Sequence, residues 1–97
     1  MKRILIIDDS EMVRNFHSYI LKTAGYTVET ANDGVQGLEK FFMEPFDLVI
    51  TDLNMPQMDG YTVIERIREE AQFEDIPIII ASTEDETKDK QKGFEVG

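Results

Sequence analysis

Three short apolar runs constrain this chain more than anything else in it: RILIID at 3–8, FDLVIT at 46–51 and IPIIIAS at 76–82. Each is too short for a helix, and its unbroken apolar centre suits a strand buried on both faces, as in parallel sheets. Between them lie segments of a different period. SEMVRNFHSYILKTAG, 10–25, carries Val13, Phe16, Ile20 and Ala24 at helical spacing, with Ser10 placed to cap its start and Gly25 to end it. YTVETA alternates like a strand near a sheet edge, and the following NDG opens a helix with Val35, Leu38 and Phe42 on one face. Pro45 ends that helix. After FDLVIT, the third strand, a loop marked by Asn54, Pro56 and Gly60 leads into a helix whose expected inner face is Tyr61, Ile64, Ile67 and Ala71. Beyond the fourth strand, Thr83 and Glu86 form a capping-box pattern for a last helix.

Strand and helix thus alternate four times. Parallel strands require crossover connections, and these are right-handed, so the expected fold is α/β: a doubly wound parallel sheet with helices on both faces. Ninety-seven residues fit one domain, 1–97. The absence of cysteine excludes a disulfide framework and thiolate chemistry. A net charge of -10 argues against nucleic-acid binding by this segment. The short, charge-interrupted apolar runs argue against a membrane span or signal peptide, and a cytoplasmic protein is expected.

In such sheets ligands bind beyond the carboxyl ends of the strands. The first strand ends at Asp8 and Asp9, the third at Asp52 and the fourth at Ser82 and Thr83, so three carboxylates and two hydroxyls are expected at one edge. Converging carboxylates disfavour one another's ionisation unless a cation compensates them. An all-oxygen donor set suits Mg²⁺, or Mn²⁺, better than zinc, and the backbone carbonyl of Asn54 is the nearest additional donor along the chain. Asp8, Asp9 and Ser10 could instead merely cap the first helix. Asp52 resists that explanation, because a loop follows it where capping needs an immediate helix.

The stretches ILIIDDSE, DLVITDLNMPQMDG, IPIIIAST and GFEVG together resemble the receiver domain of two-component response regulators, in order and near-family spacing over the whole chain. The resemblance implies a flavodoxin-like, CheY-like fold with the family strand order 2-1-3-4-5. It makes Asp52 the acceptor of a phosphoryl group from a phosphohistidine on a sensor histidine kinase or phosphotransfer protein. Asp9, Asp52 and the Asn54 carbonyl become Mg²⁺ ligands, with Asp8 acting through water. Ser82 becomes the hydroxyl that reorients toward the phosphoryl group, with Thr83 its neighbour. The implied role is signalling, with only self-phosphorylation and autodephosphorylation as chemistry.

One departure shapes the expectations. The sequence stops at Gly97, where the family continues into a fifth strand and helix with a conserved lysine and a switching aromatic. A truncated receiver domain of four β-α units is therefore expected, impaired in signalling and self-associating as a homodimer through strand 76–82 or the uncovered sheet face. Lys88, Lys90 and Lys92 lie in the expected fourth helix and are poor substitutes for the lysine. Two other readings compete: a fragment that keeps the fold and assembles without activity, and a haloacid-dehalogenase-like phosphatase. The latter wants an Asp-x-Asp signature, and both IIDDSE and ITDLNM lack that spacing. His17 is read as a surface histidine, and Phe41, Phe42, Phe46 and the methionines beside Pro56 as packing.

Overall fold

The computed structural model describes residues 2–55 and 58–81. The elements run β1 (Arg3–Ile7), α1 (Glu11–Thr23), β2 (Thr27–Ala31), α2 (Gly34–Met43), β3 (Leu48–Thr51), α3 (Gly60–Arg68), a single 3-10 turn (Ala71–Phe73) and β4 (Ile78–Ile80). The four strands form one parallel sheet in the order β2-β1-β3-β4. This is the expected architecture, with the strand-order reversal between β1 and β3. The expected fourth helix, with Lys88, Lys90 and Lys92, lies outside the described residues, as do Ser82 and Thr83.

Alternation along the central strands divides the core in two. Leu5, Ile7 and Val49 point to the side covered by α2 and α3, where they pack with Phe41, Val63 and Ile67. Ile4 and Ile6 point to the opposite side with Val28, against Leu21 of α1. Both faces of β1 are buried, which is why its sequence is apolar at four consecutive positions. No helix among the described residues is long and apolar enough to cross a membrane.

Side-chain caps start the helices: Ser10 Oγ accepts from the Val13 N–H, and Asp33 and Asp59 do the same for Gln36 and Thr62. Gly25 has φ 99°, the left-handed conformation expected after α1. Two helix faces differ from the sequence reading. On α1, Phe16 is 62% exposed and Ile20 is also exposed, while Ser18 is buried and Val13 and Leu21 are half-buried. On α2 the buried positions are Gly34, Gly37 and Phe41, while Val35 and Phe42 are exposed. Small residues let α2 approach the sheet there: a Cβ on Gly37 would overlap the Ile7 side chain. Ile64 and Ile67 are buried as expected and Tyr61 is partly so, but Ala71 lies beyond α3 and is exposed.

Candidate functional site: a carboxylate cluster at the carboxyl edge of the sheet

The strand register builds the site. Ile7 pairs with Thr51, so the next residue on each strand, Asp8 and Asp52, emerges at the same edge. Backbone bonds continue past the strands and hold them there: the Asp8 N–H donates to the Ala31 carbonyl (3.1 Å), and the Asp52 N–H to the Ile7 carbonyl (2.9 Å). Asp9 follows Asp8 out of the sheet. One carboxylate oxygen from each of Asp8, Asp9 and Asp52 lies within 4.8 Å of the others. The cluster opens into a pocket of about 670 Å³ lined also by Ser10, Met12, Val13, Phe16, His17, Asn54 and Ala81.

The three acids differ in environment. Asp8 is buried, its Oδ1 accepts from the Ser10 N–H (2.9 Å), and its main-chain carbonyl accepts from the Arg14 guanidinium (2.7 Å). Burial pushes its carboxyl above the ordinary carboxylate range, helped by Asp9, while the Ser10 N–H pulls it down. Asp52 is pushed up to about 6, first by burial and then by the Asp8 charge, against the downward pull of the Leu53 and Asn54 N–H groups. Asp9 is exposed at the mouth. An open cluster of oxygen donors whose mutual repulsion already favours protons is a place where a hard divalent cation is stabilised electrostatically.

Of the residues singled out in the sequence, Asp8, Asp9, Asp52 and Asn54 line one pocket. Capping and cluster membership coexist, because Ser10 supplies the side-chain cap of α1 while Asp8 holds the Ser10 backbone. The sequence reading missed Met12, His17 and Arg14 as parts of this edge. The four-residue spacing of Val13 and His17, which shares a helix face, was the available signal.

Comparison with known proteins follows the geometry. The sequence model of the response regulator receiver domain matches residues 4–97. The DNA-binding dual master transcriptional regulator RpaA of Synechocystis sp. is 38% identical over 97 residues, which are 100% of this chain and 40% of that protein. The alkaline phosphatase synthesis transcriptional regulatory protein PhoP of Bacillus subtilis is 36% identical over 96 residues, 99% of this chain and 39% of that protein. The chain therefore spans about two-fifths of the length of these curated relatives. Among solved structures, the chemotaxis protein CheY4 of Vibrio cholerae superposes with a TM-score of 0.93 at 40% identity, covering 100% of this chain and 81% of that one. A response regulator described as putative, from Chloroflexus aurantiacus, gives 0.94 at 31% identity, covering 99% and 79%.

Proposed function

This chain belongs to the response regulator receiver domains, signalling domains of two-component systems, and on that premise we propose that Asp52 is its phosphoacceptor. The donor is a phosphohistidine on a sensor histidine kinase or a phosphotransfer protein. A carboxylate oxygen of Asp52 attacks phosphorus as the phosphorus–nitrogen bond breaks; the imidazole leaves with that electron pair and is protonated, and an acyl phosphate remains on Asp52. Transfer of this kind depends on in-line positioning and on neutralising the phosphoryl oxygens. The Leu53 N–H, 2.8 Å from Asp52 Oδ1, orients the nucleophile, and the Asn54 N–H also bonds its carboxylate.

Asp9, Asp52 and the Asn54 carbonyl would hold Mg²⁺, with Mn²⁺ as a substitute and Asp8 reaching the ion through water. Bound there, Mg²⁺ supplies positive charge for the phosphoryl oxygens and lets the acids share one space in ionised form. The fit rests on the donor set: oxygens alone, with Asp52 already pushed up to about 6 by burial and Asp8. Ser82 is assigned as the hydroxyl that turns toward the phosphoryl group, with Thr83 beside it. A cytoplasmic location belongs to the same reading.

The observation that carries the proposal is the convergence of Asp52 with Asp8 and Asp9 at an open pocket. Incubation with acetyl phosphate and Mg²⁺ is expected to add one hydroxylamine-labile phosphoryl group, seen by intact mass. Chelation, or Asp52→Ala, is expected to abolish it. Labelling that persists in Asp52→Ala overturns the assignment.

A second reading, self-association of two copies, is favoured by β4, which has one neighbouring strand among the described residues and presents Ile79 at 50% exposure. Pairing with Ile50 puts Ile79 on the α1 side of the sheet, where Phe16, Tyr19 and Ile20 are also exposed.

A further inference from the structure

Thr51 occupies a position where an apolar residue is expected. It follows Val49 by two along β3, so it faces the side packed by α2 and α3, beside Ile7 on the neighbouring strand. Its exposure is 0%. A buried hydroxyl needs a partner, and this one donates to the main-chain carbonyl of Asp52 (3.0 Å).

That carbonyl belongs to the peptide unit whose other end is the Leu53 N–H, the group that holds Asp52 Oδ1 at 2.8 Å. A trans peptide is planar, with its C=O and N–H pointing in opposite directions. Whatever fixes the carbonyl therefore aims the N–H. Gly60 confines the same oxygen by its place: a Cβ there would overlap it, so only glycine leaves the carbonyl where it lies. The Gly60 N–H also donates to the Leu53 carbonyl (3.0 Å), closing the turn.

We propose that Thr51 and Gly60 are positioning residues for Asp52, fixing the Asp52–Leu53 peptide plane so that its N–H holds one carboxylate oxygen in place. The functional consequence rests on the reading of Asp52 as phosphoacceptor; the geometric consequence does not. Outer groups that orient a metal-binding or reacting side chain are worth about 10- to 100-fold in affinity or activity when removed.

The test compares Thr51→Val, which keeps the side-chain shape without the hydroxyl, with Thr51→Ser, which keeps the hydroxyl. Three quantities are measured on each: the Leu53 amide proton shift in metal-free protein, the Mg²⁺ dissociation constant by calorimetry, and the rate of labelling by acetyl phosphate. Thr51→Val is expected to move the Leu53 resonance, weaken Mg²⁺ and slow labelling by about 10- to 100-fold. Thr51→Ser should restore all three, even if less stable. A Thr51→Val protein that is only less stable, with the Leu53 shift and Mg²⁺ affinity of the parent, overturns the inference. So does a Thr51 hydroxyl proton that exchanges freely with solvent in the unsubstituted protein, a measurement that needs no variant to fold. Failure of the phosphoacceptor reading looks different: the parent is not labelled, or Asp52→Ala is, while the Leu53 shift and Mg²⁺ affinity still respond to Thr51.

Discussion

The environment of Asp52, at the end of β3, works against ionisation of its carboxyl. Burial and Asp8 raise its carboxyl from the ordinary 3.8 to about 6. A carboxyl with a folded pKa above its unfolded value penalises the folded protein once ionised. The penalty is absent below the unfolded value, grows between 3.8 and about 6 and is complete above that. Asp8, raised in the same direction, adds to the trend. Metal-free protein is therefore expected to lose stability to urea as pH rises from 4 to 7. Asp52→Asn should lessen that slope and stabilise the metal-free protein at pH 7 by about 1–2 kcal/mol, allowing for solvent screening. An unchanged slope in Asp52→Asn would show that Asp52 titrates as an ordinary surface acid. Saturating Mg²⁺ should flatten the profile near neutrality, because the bound ion holds the acids ionised.

At the scale of elements, two devices can be tested apart from the site. The α1 cap belongs to the Ser10 side chain, whereas Asp8 uses the Ser10 backbone. Ser10→Ala should cost about 1 kcal/mol of stability with Mg²⁺ affinity unchanged; a parallel loss of Mg²⁺ would mean that cap and cluster are one structure. In α2, Gly37 sits against Ile7, and Gly37→Ala should cost about 1–3 kcal/mol through overpacking, read from the urea midpoint. The same contact explains the displaced face of α2. Periodicity in large apolar residues selected Val35, Leu38 and Phe42, but Gly34 and Gly37 have no side chain to register in such a pattern. They allow a closer approach than a bulky face does, and Phe41 fills the core beside Phe73, with ring centroids 4.7 Å apart. On α1 the apolar residues extend beyond the stripe that rests on Ile4, Ile6 and Val28, so Phe16 and Ile20 stay outside.

At the scale of the whole molecule, the proposed cation site links binding to folding. If the cation binds the folded cluster and not the unfolded chain, Mg²⁺ at 100 times its dissociation constant stabilises the fold by about 2.7 kcal/mol. That gain should be lost in Asp9→Asn, as read by the Mg²⁺ dependence of the thermal midpoint. Self-association belongs to this scale as well. Ile79 on β4 and Phe16, Tyr19 and Ile20 on α1 give the same side of the sheet an exposed apolar character. Light scattering across a concentration series is expected to show dimer, and Ile79→Lys to shift it toward monomer. A monomer at every concentration would sink that reading.

What could be read along the chain was whatever is local. The run ILII, 4–7, declares a buried strand because every position is apolar, and Ser10 declares a helix start because capping acts across three residues. The acids at the strand ends were legible for the same reason, since Asp8 directly follows an apolar run and Asp52 follows one with only Thr51 between. Their meeting was an inference from the fold class, and it took the register, Ile7 beside Thr51, to bring them to one edge. The rest was settled by contacts between distant segments: which face α2 turns inward, how far burial and Asp8 raise Asp52, and why a hydroxyl sits at position 51. A one-dimensional pattern records what a residue is and how it recurs, but not what packs against it, and packing sets close approach, charge environment and the direction of a peptide plane.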